Sequence, residues 1–115
     1  MRSIRPAVLL IAAVAMPTAA ADLGAAKRNF FVSCSRCHGA AGKGDGPQAD
    51  ALKTKPRDFT DCARMKALSD ETLFGAIKNG GEAVHLSKDM PAWKDSLDDE
   101  KIHDLVACVR SLCTK

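Results

Sequence analysis

The chain has 115 residues, with 17 Lys or Arg against 14 Asp or Glu and a formal net charge of +3. That near balance argues against a nucleic-acid-binding protein, whose footprint is a clustered basic surface. With no Tyr, one Trp and four Phe, the sequence is lean for a self-sufficient core, at a length that supports one domain.

Residues 1–21 read as a cleavable export signal. Arg2 and Arg5 supply a positive start, Ala7 to Met16 is uninterruptedly apolar, and Ala19-Ala20-Ala21 fits a small-residue cleavage site. Cleavage there leaves Asp22 as the mature N-terminus. The apolar run is too short to span a bilayer as a helix. The rival reading, an uncleaved N-terminal anchor, lacks a stop-transfer-length stretch. The expectation is an exported, soluble domain of residues 22–115 without stable membrane insertion. Removing Arg2 and Arg5 brings its balance to 15 basic against 14 acidic residues. For a Gram-negative source the destination is the periplasm, where otherwise unused cysteines can pair.

Residues 24–38 are predicted as a helix, because Ala26, Phe30 and Cys34 recur every four residues and share a face. Gly39 is its stop. The helix ends in Cys34-Ser35-Arg36-Cys37-His38, and C-x-x-C-H is the attachment signature for c-type haem. Positions i and i+3 lie on one helix face, so both sulfurs can reach one edge of a flat macrocycle and add to its vinyl groups as thioethers. His38 follows as the proximal ligand of the iron. A zinc site needs a second ligand pair at suitable spacing, and a thioredoxin-like pair needs a βαβ context. Neither is visible. A buried haem would also supply apolar area that the side chains lack.

Residues 39–60 read as a long loop, made permissive by Gly39, Gly42, Gly44 and Gly46 and stiffened by Pro47 and Pro56. Such a loop in a small domain is usually functional. Here it would wrap the proximal side of the haem. The Pro47 carbonyl is a candidate acceptor for Nδ1–H of His38, although Pro47 also fits as a plain turn residue. A second helix is predicted over 69–79, with Ser69 as its cap, Asp70 and Glu71 in its first turn and Asn79-Gly80-Gly81 at its end. A second loop, 82–97, contains Met90-Pro91-Ala92-Trp93. A last helix runs from Asp99 to about Leu112, capped by Asp98, with Ile102, Leu105, Val106, Val109 and Leu112 on one face. Three helices, two long loops and no strand pattern predict an all-α domain.

Four side chains could fill the sixth coordination position. Met90 is preferred, in a loop far enough from His38 to reach the other face of the haem, with Pro91 stiffening the backbone beside it. His85 shares that loop and is its competitor; two histidines would lower the potential where a thioether raises it. Met65 reads as core filler and His103 as a surface residue. Trp93 reads as packing on the haem edge with its N–H towards a propionate, or as a plain core residue. Lys43, Lys53, Lys55, Arg57, Lys88 and Lys94 could rim the haem and steer an acidic partner, or be ordinary solvated side chains.

Cys62, Cys108 and Cys113 remain, so at most one intrachain disulfide forms among them. With Ile102 at zero on the last helix, Cys113 falls at roughly 20°, within the apolar face, and Cys108 at roughly 240°, on its flank. This favours Cys62–Cys113, with Cys62–Cys108 or three free thiols as alternatives.

The whole mature stretch resembles class I cytochrome c, of the small bacterial periplasmic kind. The resemblance rests on Cys34-Ser35-Arg36-Cys37-His38-Gly39, Gly42-Lys43-Gly44-Asp45-Gly46-Pro47, Lys55-Pro56-Arg57-Asp58-Phe59, Ile77-Lys78-Asn79-Gly80-Gly81, Met90-Pro91-Ala92-Trp93 and 105–112. It implies one covalent haem c on Cys34 and Cys37, with its iron held by His38 and Met90, and Pro47 holding the proximal histidine. It also implies an electron carrier rather than an enzyme, exchanging single electrons with a dehydrogenase, oxidase or cytochrome complex, with a haem subunit of such a dehydrogenase or oxidase complex as the alternative; a monomer is favoured, and the sequence does not reveal the oligomeric state. Ala26 and Phe30 match the small-plus-aromatic pair where first and last helices cross. Two departures stand out: Ala26 replaces the usual Gly, and Cys108 replaces the usual aromatic. The second marks Cys108 as the leftover thiol, consistent with Cys62–Cys113.

Overall fold

A computed structural model describes residues 1–15 and 20–114. Ala19 of the expected cleavage site therefore lies outside the described residues. Residues 1–15 are exposed and carry no regular secondary structure.

Helix α1 covers Leu23–Asn29, and its start is capped by Asp22, whose carboxylate accepts the Ala25 N–H at 2.9 Å. The chain then widens into a π-helical turn, Phe30–Cys34, and tightens again as α2, Ser35–His38. Residues 24–38 thus form the continuous helical segment that the periodicity predicts, with a wider middle. At that turn the Ser35 N–H reaches back to the Phe30 carbonyl, and the Ser35 hydroxyl donates to the Phe31 carbonyl. Gly39 stops the segment with φ +84°, a conformation that costs glycine little.

Helix α3, Cys62–Lys66, was not expected from the sequence; it is a single turn capped by Asp61, which accepts the Arg64 N–H at 3.2 Å. Helix α4, Asp70–Asn79, starts under the Ser69 hydroxyl, which accepts the Thr72 N–H at 3.0 Å. Helix α5, Asp99–Ser111, starts under Asp98, which accepts the Lys101 N–H at 2.9 Å. Short 3₁₀ turns, Ala49–Ala51 and Gly81–Val84, punctuate the two long loops. No strand occurs among the described residues, so the architecture is all-α as predicted.

The core forms where α5 packs against both α1 and α4. Ala26 and Phe30 from the first helix meet Ile102, Leu105, Val106 and Val109 there. Cys108, placed on a flank by the helical wheel, is instead 1 % exposed and among the most deeply buried side chains. Packing on two sides widens the buried arc of α5 beyond its apolar stripe. Cys108 is a free thiol; burial pushes its pKa up, with a smaller opposing pull from Lys27. Cys62 and Cys113 are joined as a disulfide, Cα atoms 5.2 Å apart, tying α3 to the end of α5. Beside that bond, Arg110 of α5 donates to the carbonyls of Met65 (2.6 Å) and Leu68 and pairs with Asp70 at 2.7 Å. One guanidinium thereby satisfies carbonyls at the end of α3 and joins it to the start of α4.

Candidate functional site

The pentapeptide 34–38 gains its shape from the loop that follows it. Helix α2 is one turn long, so its carbonyls have few partners of their own. Gly39 donates to Ser35 O at 2.9 Å, Gln48 to Arg36 O at 2.8 Å, Gly46 to Cys37 O at 3.1 Å and Gly44 to His38 O at 2.7 Å. The last three donors alternate along the loop, as they do on one side of an extended chain. Contact is so close that a Cβ on Gly46 would lie 2.3 Å from Arg36 O and 2.5 Å from Ser35 O. Only glycine fits there.

A mostly apolar cavity of about 800 Å³ opens beside this helix end. Cys34, Cys37 and His38 line it from the helical segment, Phe59 from the first loop, and Met90 and Trp93 from the second. Leu73 of α4 and Leu105 and Val109 of α5 complete its apolar wall. The volume lies in the upper part of the ~300–1,000 Å³ range of ligand pockets.

The His38 ring stacks on Phe59, with centroids 4.6 Å apart and planes 18° apart. Phe59 is held in turn by an edge contact with Phe30, centroids 6.3 Å apart, and by its N–H donating to Gly42 O at 2.7 Å. Burial pulls the His38 pKa from 6.5 to about 4, so the imidazole is neutral at neutral pH, the form that binds a metal. Its Nδ1 is buried without a hydrogen-bond partner. The contact expected from the Pro47 carbonyl is not formed in this structure. Pro47 is exposed and does not line the cavity, while the amides of Gly46 and Gln48 on either side of it are drawn onto α2. A buried unpaired nitrogen is costly, and in native proteins it marks a site with a task. Cys34 is half-buried beside two other thiols: desolvation first, then Cys108 and Cys37, pushes its pKa up to about 11. Cys37 Sγ lies 4.0 Å from Gln48 Oε1.

Of the four candidates for the sixth ligand, Met90 lines the cavity, and Met65, His85 and His103 do not. Met65 is 2 % exposed in the core, where the sequence put it. His85 is exposed at φ +61°. His103 is exposed and stacks on Phe74, centroids 4.3 Å apart. The half-buried Met90 is held by its carbonyl, which accepts the Gly81 N–H at 3.0 Å, and by its N–H, which donates to Ser87 O at 3.3 Å. The backbone N–H of Trp93 donates to Ile77 O at 2.9 Å and anchors the loop to α4.

Of the predicted basic rim, Lys43, Lys55 and Arg57 line the cavity; Lys53, Lys88 and Lys94 do not. Arg36 and Arg64 line it and were missed, as was the stacking role of Phe59. Asp58 stands among these cations; hydrogen bonds from Thr60, first its hydroxyl and then its amide, hold the carboxyl below its usual range. Among the described residues, no cluster of three or more His, Cys, Asp and Glu side chains is gathered for another metal.

The family model for cytochrome c oxidase, cbb3-type, subunit III matches residues 19–108. The chain is a class I c-type cytochrome. Cytochrome c6 of Bryopsis maxima is 34 % identical to it over 80 residues, covering 70 % of this chain and 80 % of the relative. Among solved structures, the KustC0563 c-type cytochrome superposes with a TM-score of 0.63 at 25 % identity, covering 77 % of this cytochrome and 98 % of that chain. A chain of the Kuenenia stuttgartiensis reducing HAO-like protein complex Kustc0457/Kustc0458 superposes equally well, with a TM-score of 0.63, at 26 % identity. The match covers 80 % of this cytochrome and 44 % of that longer chain. Membership of the family brings a covalently bound haem c and its iron. The residues present fit that group: an apolar cavity of suitable size, two cysteines and a neutral imidazole with an orphaned Nδ1 all meet in one place.

Proposed function

We propose that this cytochrome is an exported, periplasmic carrier of single electrons between larger redox proteins. The observation that carries the reading is the meeting of Cys34, Cys37 and His38 with Met90 in one apolar cavity. When bound, the haem supplies a one-electron ferric/ferrous couple. Cys34 and Cys37 would hold it through thioether bonds, and the neutral imidazole of His38 would bind its iron. The thioether of Met90 would be a second ligand to the iron, favouring the ferrous state and raising the potential. With two side chains bound to the iron, no place would be left on it for a substrate, as suits a carrier rather than a haem enzyme. Leu73, Leu105 and Val109 keep water from the site, and Trp93 packs at its margin. Lys43, Lys55 and Arg57 present positive charge at the rim to an acidic redox partner. Export follows from the leader at 1–21, and an oxidising compartment suits the Cys62–Cys113 bond.

The test is Met90→Ala in the haem-loaded protein. The weak near-infrared band of a ferric thioether bond disappears, the potential falls, and the reduced variant binds carbon monoxide at neutral pH where the parent refuses it. An unchanged spectrum and potential would exclude Met90 as ligand. A second reading, a fixed haem subunit of an oxidase or dehydrogenase complex, is favoured by the family model's own description as an oxidase subunit. Stoichiometric co-purification with a membrane complex selects it over the mobile carrier.

A further inference from the structure

Asp89, the residue before Met90, lines the cavity and is half-buried. Its own segment is tightly turned: Asp89 N–H donates to the Ser87 hydroxyl at 3.2 Å while Met90 N–H donates to the Ser87 carbonyl. The Asp89 carboxylate leaves this turn and accepts the backbone N–H of Lys53 at 3.1 Å, from a residue 36 positions earlier. Lys53 stands between Leu52 and Thr54, both of which line the same cavity. The bond therefore joins the first loop to the second at the cavity margin. The other hydrogen bonds around Met90 tie it to its own side, to Gly81 and Ser87 and, through Trp93 and Lys94, to the last turn of α4. Those contacts shape the second loop without fixing its distance from the first.

We infer that Asp89 is a positioning residue for Met90, a latch whose carboxylate holds the second loop against the first and so keeps the thioether inside the cavity against competing ligands. The inference rests on the reading of Met90 as the sixth ligand. An exogenous ligand binds when the second loop swings away, so its apparent affinity reports how often the latch opens. The acceptor belongs to a carboxylate and the donor is an amide, so Lys53 contributes through its backbone alone and its side chain is dispensable.

The experiment is a spectrophotometric titration of the ferric, haem-loaded protein with imidazole, with the near-infrared band read alongside. A hydrogen bond of modest net strength predicts that Asp89→Leu binds imidazole ~2–10-fold more tightly than the parent. Asp89→Asn keeps an acceptor oxygen and stays within about twofold of the parent, a rescue that a loss of charge or of general packing would not give. Parent-like affinity in Asp89→Leu overturns the latch, and so does an Asn variant as impaired as the Leu one. Met90→Ala separates the two readings. If it keeps the near-infrared band, the ligand assignment fails and the latch falls with it. If it loses the band while Asp89→Leu titrates like the parent, the latch alone is overturned.

Discussion

Replacing Gly46 by Ala tests how the helix end that carries Cys34, Cys37 and His38 is held. Gly46 does not have a positive φ, so the substitution probes close approach rather than backbone strain. The added Cβ would sit 2.3 Å from Arg36 O, 2.5 Å from Ser35 O and 2.6 Å from the Arg36 carbonyl carbon. All three are backbone atoms, so no flexible side chain can move aside. The loop must withdraw from α2, which stretches the bonds from Gly44, Gly46 and Gln48 to His38, Cys37 and Arg36. Three bonds at ~1 kcal/mol each, together with an overpacking cost of ~1–3 kcal/mol and a return of ~0.4–1 kcal/mol from the less flexible unfolded chain, leave a net loss of ~3–6 kcal/mol. In a domain of this size that lowers the melting temperature by at least ~10 °C. Thermal melts of the ferric holoprotein, followed by far-UV circular dichroism and haem absorbance, read the effect. Gly24→Ala is the control: its Cβ meets Asp22 Oδ1 at 3.6 Å and the Arg28 guanidinium at 3.8 Å, ordinary contacts in a helix. It gains up to ~1 kcal/mol from helix propensity. A Gly46→Ala protein melting within ~2 °C of the parent would refute the packing of the loop on the helix end.

Arg110→Met removes the donor to Met65 O and Leu68 O in a side chain that is 31 % exposed, and should cost ~1.5–3 kcal/mol in chemical denaturation. Asp70→Asn, whose carboxylate is mostly exposed, should cost under ~1 kcal/mol in the same assay. Ile102→Ala empties the most buried position of α5 and should cost ~2–5 kcal/mol, while Ile102→Val costs ~0.5–1.5 kcal/mol. Replacing Cys62 and Cys113 together by Ser opens a bridge spanning 51 residues; the chain-entropy model gives a loss of ~4 kcal/mol, seen as an earlier denaturation midpoint with unchanged visible spectrum.

Much of this architecture was legible in the sequence because it rests on local chemistry. Ser69 and Asp98 are caps whose side chains satisfy the first free amides of a helix, and both helices begin where those residues stand. Ala26, Phe30 and Cys34 share a face at helical spacing, and all three meet the core. What escaped depends on contacts between distant segments. Helix α3 is one turn, too short to announce itself by periodicity, although Asp61 three residues before Arg64 was an available signal. The burial of Cys108 depends on α1 and α4 both covering α5, which a wheel drawn for one helix cannot register. The absence of a Pro47–His38 bond depends on where the neighbouring amides go, and that is set by the approach of Gly46 to α2. In the site, Met65 and His103 were legible as a core and a surface residue, while His85, which shares the loop of Met90, is set apart from it by the folded cavity, which Met90 lines and His85 does not.

Four residues of α2 are too few to remain helical alone, since a first turn fixes several dihedrals for a single hydrogen bond. Their conformation is lent to them by amides that arrive later in the chain. A newly made polypeptide therefore presents Cys34 and Cys37 on slack backbone, with both sulfurs open to approach. Closure of the glycine-bearing segment then fixes the spacing of the two sulfurs, so this turn takes its shape only as the rest of the domain compacts around it.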